Sequence, residues 1–147
     1  MKAIVGFFFF LLFLAGIALV TLQGRQMGKQ SMLGGGASIT GTSWRPRVVG
    51  AETIPADSGL FVLFEVDGSI KGHGGCNSFS GSLQTTESGI LVGPLGATRM
   101  SCPDPIMNRE TAFMNALQNT EQFEGGQNTL QLLDGSNTLL AELVSGE

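Results

Sequence analysis

The chain has 147 residues, a formal net charge of −4 and a sequence pI near 4.9. That length holds one domain of ordinary size plus an appendage. The acidic balance, with few clustered Lys or Arg downstream, argues against nucleic acid and against a polybasic grip on anionic lipid.

The appendage comes first in the chain. Lys2 precedes an unbroken run of apolar residues and glycines over positions 4–20, including Phe7, Phe8, Phe9 and Phe10. A positive start followed by such a core reads as a secretory signal or an uncleaved membrane anchor, and residues 1–22 are expected to be one or the other. With Thr21 and Leu22 the segment approaches the roughly 20 residues that cross a hydrocarbon core. No clean small-x-small cleavage site follows it, and no cysteine stands near its end to carry a lipid. Residues 23–40 are polar and small, with Gly34-Gly35-Gly36 at their centre. Such a composition predicts a flexible tether. The globular domain is expected over residues 41–147.

Inside that domain most signals are for strands. Leu60-Phe61-Val62-Leu63-Phe64-Glu65-Val66 is β-branched and aromatic, and apolar at successive positions up to Glu65, as in a strand covered on both faces. Asp67-Gly68 is a tight-turn dipeptide leading into Ser69-Ile70-Lys71, which predicts a hairpin. Residues 77–83, 90–92, 129–133 and 138–144 are further strands, separated by Glu87-Ser88-Gly89 and Asp134-Gly135-Ser136-Asn137. Short strands at this spacing, with little helix between them, predict a mainly β (α+β) fold: a small antiparallel barrel or sandwich.

One helix is expected after Cys102. Asp104 is read as its cap and Pro105 as its first residue. Ile106, Met107, Phe113, Met114 and Leu117 fall on one stripe of a 3.6-residue wheel, with Glu110 in the middle of it. A carboxylate there is costly to desolvate. The first reading keeps Glu110 wet near the helix start. The sharper alternative buries it against Arg99 or against backbone amides of the Gly-rich turn.

Cys76 and Cys102 are the only cysteines, and two cysteines in an exported chain invite a disulfide. Free buried thiols are the alternative. Thiol catalysis is disfavoured, because a strand spacing of three residues points His73 and Cys76 to opposite faces. His73 is read as a turn residue. One histidine and two cysteines fall short of a zinc set, so no metal and no cofactor are expected. Gly72-His73-Gly74-Gly75 lacks the Gly-Lys-Ser/Thr ending of a phosphate loop and is read as structural, serving positive φ, a bulge or close backbone approach. Trp44, the single tryptophan, is read as a core plug.

Taken together, several motifs resemble the META domain, or HslJ-like, family. They are Gly41-Thr42-Ser43-Trp44, then Gly72-x-x-Gly75-Cys76-Asn77-x-Phe79-x-Gly81, then Ile90-Leu91-Val92-Gly93-Pro94-Leu95 and Thr98-Arg99-Met100-Ser101-Cys102-Pro103-Asp104. Met107, Glu110, Phe113 and Leu117 on the helix continue the likeness, which spans residues 41–144. The strands flanking Gly50 carry less of the family's polar and aromatic patterning. The resemblance implies a barrel-like domain with one packed helix, usually exported to the bacterial cell envelope. It also implies links to heat shock, to novobiocin resistance and in some cases to secretion or motility. No catalytic residue is carried over with it, and the chain assembles no nucleophile, base and oxyanion site of its own. The expected function is therefore a non-catalytic contact or stress-protection domain in the periplasm or on the outer face of the inner membrane. An envelope protein would be its partner, with the N-terminal segment in the membrane. The alternative is carriage of a small apolar ligand inside the barrel.

Overall fold

A computed structural model of the chain describes residues 39–86 and 89–146. The expected leader, the tether up to position 38 and the Glu87-Ser88 part of one turn lie outside the described residues. The expected mainly β fold is observed. Ten strands form one antiparallel sheet: β1 (Thr42–Val49), β2 (Glu52–Thr53), β3 (Leu60–Phe64), β4 (Ser69–Gly74), β5 (Ser78–Thr85), β6 (Ile90–Val92), β7 (Gly96–Ala97), β8 (Gln122–Gly125), β9 (Thr129–Leu133) and β10 (Leu139–Ser145). One helix, α1 (Asp104–Gln118), lies between β7 and β8.

The sheet order is β6-β5-β4-β3-β1-β10-β9-β8, with β2 added to β1 and β7 to β5. Its two ends meet where the Ile90 amide donates to the Glu121 carbonyl at 3.2 Å, which brings the sheet close to a closed barrel. The strands flanking Gly50 are β1 and β2, and β1 is central, paired to both β3 and β10. Pro46 sits inside β1 next to a register shift between Pro46 and Val48, the place where a central strand tolerates a missing donor.

The core fills the space between sheet and helix. Trp44, Val62, Phe64, Ile70, Ile90, Leu130, Leu132 and Leu143 point inward from the strands, and Phe113 and Leu117 from α1. Trp44 is the expected plug, 2% exposed, and its indole donates to the Ile39 carbonyl at 3.3 Å. Ile39 is itself buried, so the core begins two residues before Gly41.

Three expectations need correction. First, β3 is covered on one face. Leu60, Val62 and Phe64 are buried while Phe61 is 38% exposed and Leu63 half-buried, because among the described residues no second layer covers the outside of the sheet. Second, His73 belongs to β4, paired with Phe61, and the turn begins only after Gly74. Third, α1 starts one residue early. Pro103 holds the cap position with no side-chain hydrogen bond, and its carbonyl receives the Ile106 and Met107 amides. Asp104 therefore contributes through its charge in the first turn.

Both predicted turns are organised by an aspartate. Asp67 Oδ1 accepts from the Ser69 amide at 2.9 Å and the Ser69 hydroxyl at 2.7 Å, while Gly68 takes φ 80°. Asp134 Oδ1 accepts from the Ser136 amide, the Ser136 hydroxyl and the Thr138 amide, with Asn137 at φ 63°. These bonds hold both carboxyls below the usual aspartate range. The Ser69 hydroxyl is the leading cause at Asp67, and the Thr138 amide at Asp134. A depressed folded-state value adds stability above the unfolded value of about 3.9 and loses it as pH falls further. Asp67→Asn and Asp134→Asn should therefore lower stability at neutral pH. They should also flatten the loss of stability below about pH 4, read from urea unfolding at stepped pH.

Candidate functional site

Gly75, Cys76, Asn77, Thr98, Met100, Cys102 and Glu110 of the sequence motifs converge on the tight turn between β4 and β5. That turn, Gly74 to Asn77, is closed by the Gly74 amide donating to the Asn77 carbonyl at 2.8 Å, with Gly75 at φ 100°. Its geometry leaves the amides of Cys76 and Asn77 aimed at one point, a concavity that attracts negative charge. Glu110 of α1 occupies that point.

Glu110 is 5% exposed, so the reading that kept it wet is overturned. Its Oε2 accepts from the Asn77 amide at 2.6 Å and the Cys76 amide at 3.2 Å, and its Oε1 accepts from Asn77 Nδ2 at 2.7 Å. Of the two partners considered, backbone amides hold it and Arg99 stays exposed. Among the described residues the carboxylate is buried without a cation, compensated by three N–H donors. Gly74 is needed for this approach, since a Cβ there would overlap the Glu110 side chain.

The Asn77 side chain uses its full capacity of two donors and two lone pairs. Nδ2 donates to Glu110 Oε1 and, at 3.2 Å, to the Met100 carbonyl. Oδ1 accepts from the Met100 amide at 2.7 Å and the Thr98 hydroxyl at 2.8 Å. One residue thereby joins the turn, the helix and the segment that leads into the helix. Cys76 and Cys102 are disulfide-bonded with Cα atoms 6.1 Å apart, tying the same turn to the same segment by a covalent bond. No buried side-chain nitrogen or oxygen among the described residues lacks a partner.

Other motif residues are positioned by packing. Gly72 pairs with Phe79, whose ring occupies the space a Gly72 side chain would need. Phe79 in turn meets Phe113 edge-on, centroids 6.1 Å apart. Gly81 pairs with Ile70 and lies against Leu95. Trp44 is remote in sequence from this cluster and belongs to the core. Met100 uses its backbone in the knot and leaves its side chain 57% exposed.

The outer sheet face holds a feature that the sequence reading missed. Phe61 and Leu63 line a groove of about 780 Å³ with Lys71, Ser78, Ser80 and Thr98. The signal lay in β4, where Ser69-Ile70-Lys71-Gly72-His73-Gly74 alternates and so reports which face of its hairpin partner is outward. A smaller concavity of about 350 Å³ lies between the β2–β3 loop and α1, at Asp57 and Arg109.

Glu110→Ala leaves three donors unsatisfied at about 1–3 kcal/mol each, so a loss above about 3 kcal/mol is expected in urea unfolding. Asn77→Asp sets two carboxylates face to face. Combined with Glu110→Gln it regains one donor–acceptor match, and a double-mutant cycle should show favourable coupling of at least about 1 kcal/mol. Cys76→Ser and Cys102→Ser each reopen a bridge of sequence separation 26. In the chain-entropy model that is worth about 3–4 kcal/mol, which lowers the melting temperature by roughly 10–20 °C. The double variant should melt close to either single one; additive losses in calorimetry would mean the sulfurs act independently.

Three solved chains resemble this fold. One, an NMR structure of a protein from Burkholderia xenovorans, has a TM-score of 0.58 at 24% identity, covering 74% of this chain and 83% of that one. Another is a 1.00 Å crystal structure of a DUF4847 family protein from Bacteroides vulgatus ATCC 8482. It has a TM-score of 0.54 at 15% identity, covering 74% of this chain and 95% of that one. At these identities the likeness concerns the fold alone. Among curated proteins, none matches the chain. The family model described as META domain matches residues 37–145, a span that contains the turn, the disulfide, the helix and every strand. The chain therefore belongs to the META domain family.

Proposed function

We propose that this domain is a non-catalytic contact module of the bacterial cell envelope, tethered through its N-terminal segment and acting on or protecting another envelope component. One observation carries the reading: the polar groups of the motif are spent on one another. Asn77 is saturated, the Glu110 carboxylate is filled by amides, and both sulfurs are in the bridge. A site built to react keeps a nucleophile or base free to meet substrate; here those residue types hold the scaffold.

The Cys76–Cys102 bond supports an oxidising compartment, in keeping with an exported chain. The apolar run at positions 4–20 supports attachment or export; it lies outside the described residues, among which no helix is long and apolar enough to cross a membrane. Stress protection, which the family resemblance implies, is one form such contact takes. Carriage of a ligand inside the barrel is less well supported, because the interior is filled by Trp44, Phe64, Phe113 and their neighbours.

Affinity capture of the full chain from envelope extract should recover a defined partner above background. Intact-mass measurement of the host-purified protein should gain two hydrogens on reduction. A partner-free eluate, together with a deletion strain indistinguishable from wild type under heat and novobiocin stress, overturns the reading.

A further inference from the structure

We propose that the free edge of β7 and the residues that follow it, Gly96 to Met100, takes an extended acidic peptide as an added strand, paired through the main chain of Ala97 and Arg99. Register decides which way each main-chain group points. At the start of β5 the Asn77 carbonyl receives the Gly74 amide and Phe79 pairs with Gly72, so Asn77 and Phe79 turn their main chain toward β4. Ser78 and Ser80 turn theirs the other way. The Thr98 amide donates to the Ser78 carbonyl at 3.0 Å, the Ser78 amide donates to Thr98 Oγ1 at 3.3 Å, and Gly96 pairs with Ser80.

Beyond Thr98 a side chain continues the ladder. The Met100 amide donates to Asn77 Oδ1 at 2.7 Å, and Asn77 Nδ2 donates to the Met100 carbonyl at 3.2 Å. The Asn77 side-chain amide thus stands in for a peptide unit and keeps Met100 in line with β7. Gly96, Thr98 and Met100 direct their main chain toward β5 and its turn, so the N–H and C=O groups of Ala97 and Arg99, which alternate with them, lie along the opposite edge. Those four groups make no hydrogen bond among the described residues. Residues 96–101 are exposed without interruption, and residues 96–100 contain neither turn nor bend. The edge is therefore held straight and ready before any partner arrives, which lowers the ordering cost of binding.

The pattern of free groups identifies the occupant. Two donor–acceptor pairs two residues apart, about 6.8 Å along the strand, repeat at the spacing of an extended main chain. A peptide strand laid alongside satisfies all four groups at once. Pro94 and Pro103 bound the segment, so the added strand is only a few residues long. Charge selects its composition. Arg99 is exposed and forms no ion pair among the described residues, and residues 90–103 contain no carboxylate, although the chain as a whole carries −4. A Glu or Asp set opposite Arg99 meets a cation with no other partner, whereas a Lys there meets repulsion. Met100 alternates with Arg99 and is 57% exposed, so it offers apolar contact to the other face of the added strand.

The proposal rests on the envelope-contact reading and names where the contact is made. A peptide titration reads the edge itself, whereas capture from envelope extract reads the presence of a partner, so each can fail alone. The isotope-labelled full chain in detergent micelles is titrated with acetyl-Thr-Val-Glu-Val-Thr-amide, with the same peptide carrying Lys for Glu, and with a main-chain N-methylated form of the first. In the free chain, amide hydrogen exchange should be fast at Ala97 and Arg99 and slow at Thr98 and Met100. The Glu peptide should shift the Ala97 and Arg99 amide signals most and, at nine-tenths saturation, slow their exchange by about tenfold. The N-methylated peptide should not bind. The Lys peptide should bind about fivefold more weakly than the Glu peptide, and Arg99→Gln should erase that difference. Ala97→Pro removes an outward donor where an edge strand tolerates proline, and should weaken the Glu peptide by about tenfold. Melting curves matched to wild type confirm that both variants are folded; if Ala97→Pro is not, the N-methylated peptide carries the same test. Absence of binding, signal shifts confined to residues away from β7, or equal binding of the N-methylated peptide each overturns the proposal. Protection of Ala97 and Arg99 that is present in the free chain and lost on dilution also overturns it, because a second copy then fills the edge.

Discussion

A single buried carboxylate organises the motif-bearing half of this domain. Glu110 projects from the helix into a turn whose two successive amides, those of Cys76 and Asn77, point at it, and the Asn77 side chain adds a third donor. Removing such a charge from water costs several kcal/mol unless donors replace the solvent. The turn exists in the shape that supplies them. Asn77 then extends the network to Thr98 and Met100, so the polypeptide entering the helix is held by the same residue that helps hold the helix itself. The disulfide runs parallel to these bonds and constrains the unfolded chain as well as the folded one.

That arrangement explains the spacing of the motif. Gly74 admits the carboxylate, Gly75 turns the backbone to positive φ, and Cys76 and Asn77 present their amides. Each residue type is required by its neighbour. Elsewhere the domain relies on apolar packing around Trp44, Phe64 and Phe113, with the helix occupying the hollow of the sheet.

Much of the architecture was legible from residues 60–92 and 129–144. The Asp67-Gly68 and Asp134-Gly135-Ser136-Asn137 turns are local devices, in which an aspartate bonds amides two to four residues on, so their meaning does not depend on distant partners. The short strands β7 and β8 were not legible. β7 has two residues and β8 four, too few for periodicity to register. The helix start was misplaced by one position because Asp104 and Pro105 satisfy the local rules for cap and first turn, while the Pro103 carbonyl took the first amides.

Composition and order alone specified a mainly β domain, its cysteine pair, its helix and its family likeness. They also placed Glu110 on the wrong face for a solvated carboxylate. Whether that residue stayed wet or was buried depended on a turn more than thirty positions away, and hydrophobic patterning carries no information about donors so distant in the chain. The outward aspect of Phe61 and Leu63 was likewise hidden. In a run where every residue is apolar, the register with the strand alongside and the packing of each face decide which side meets water.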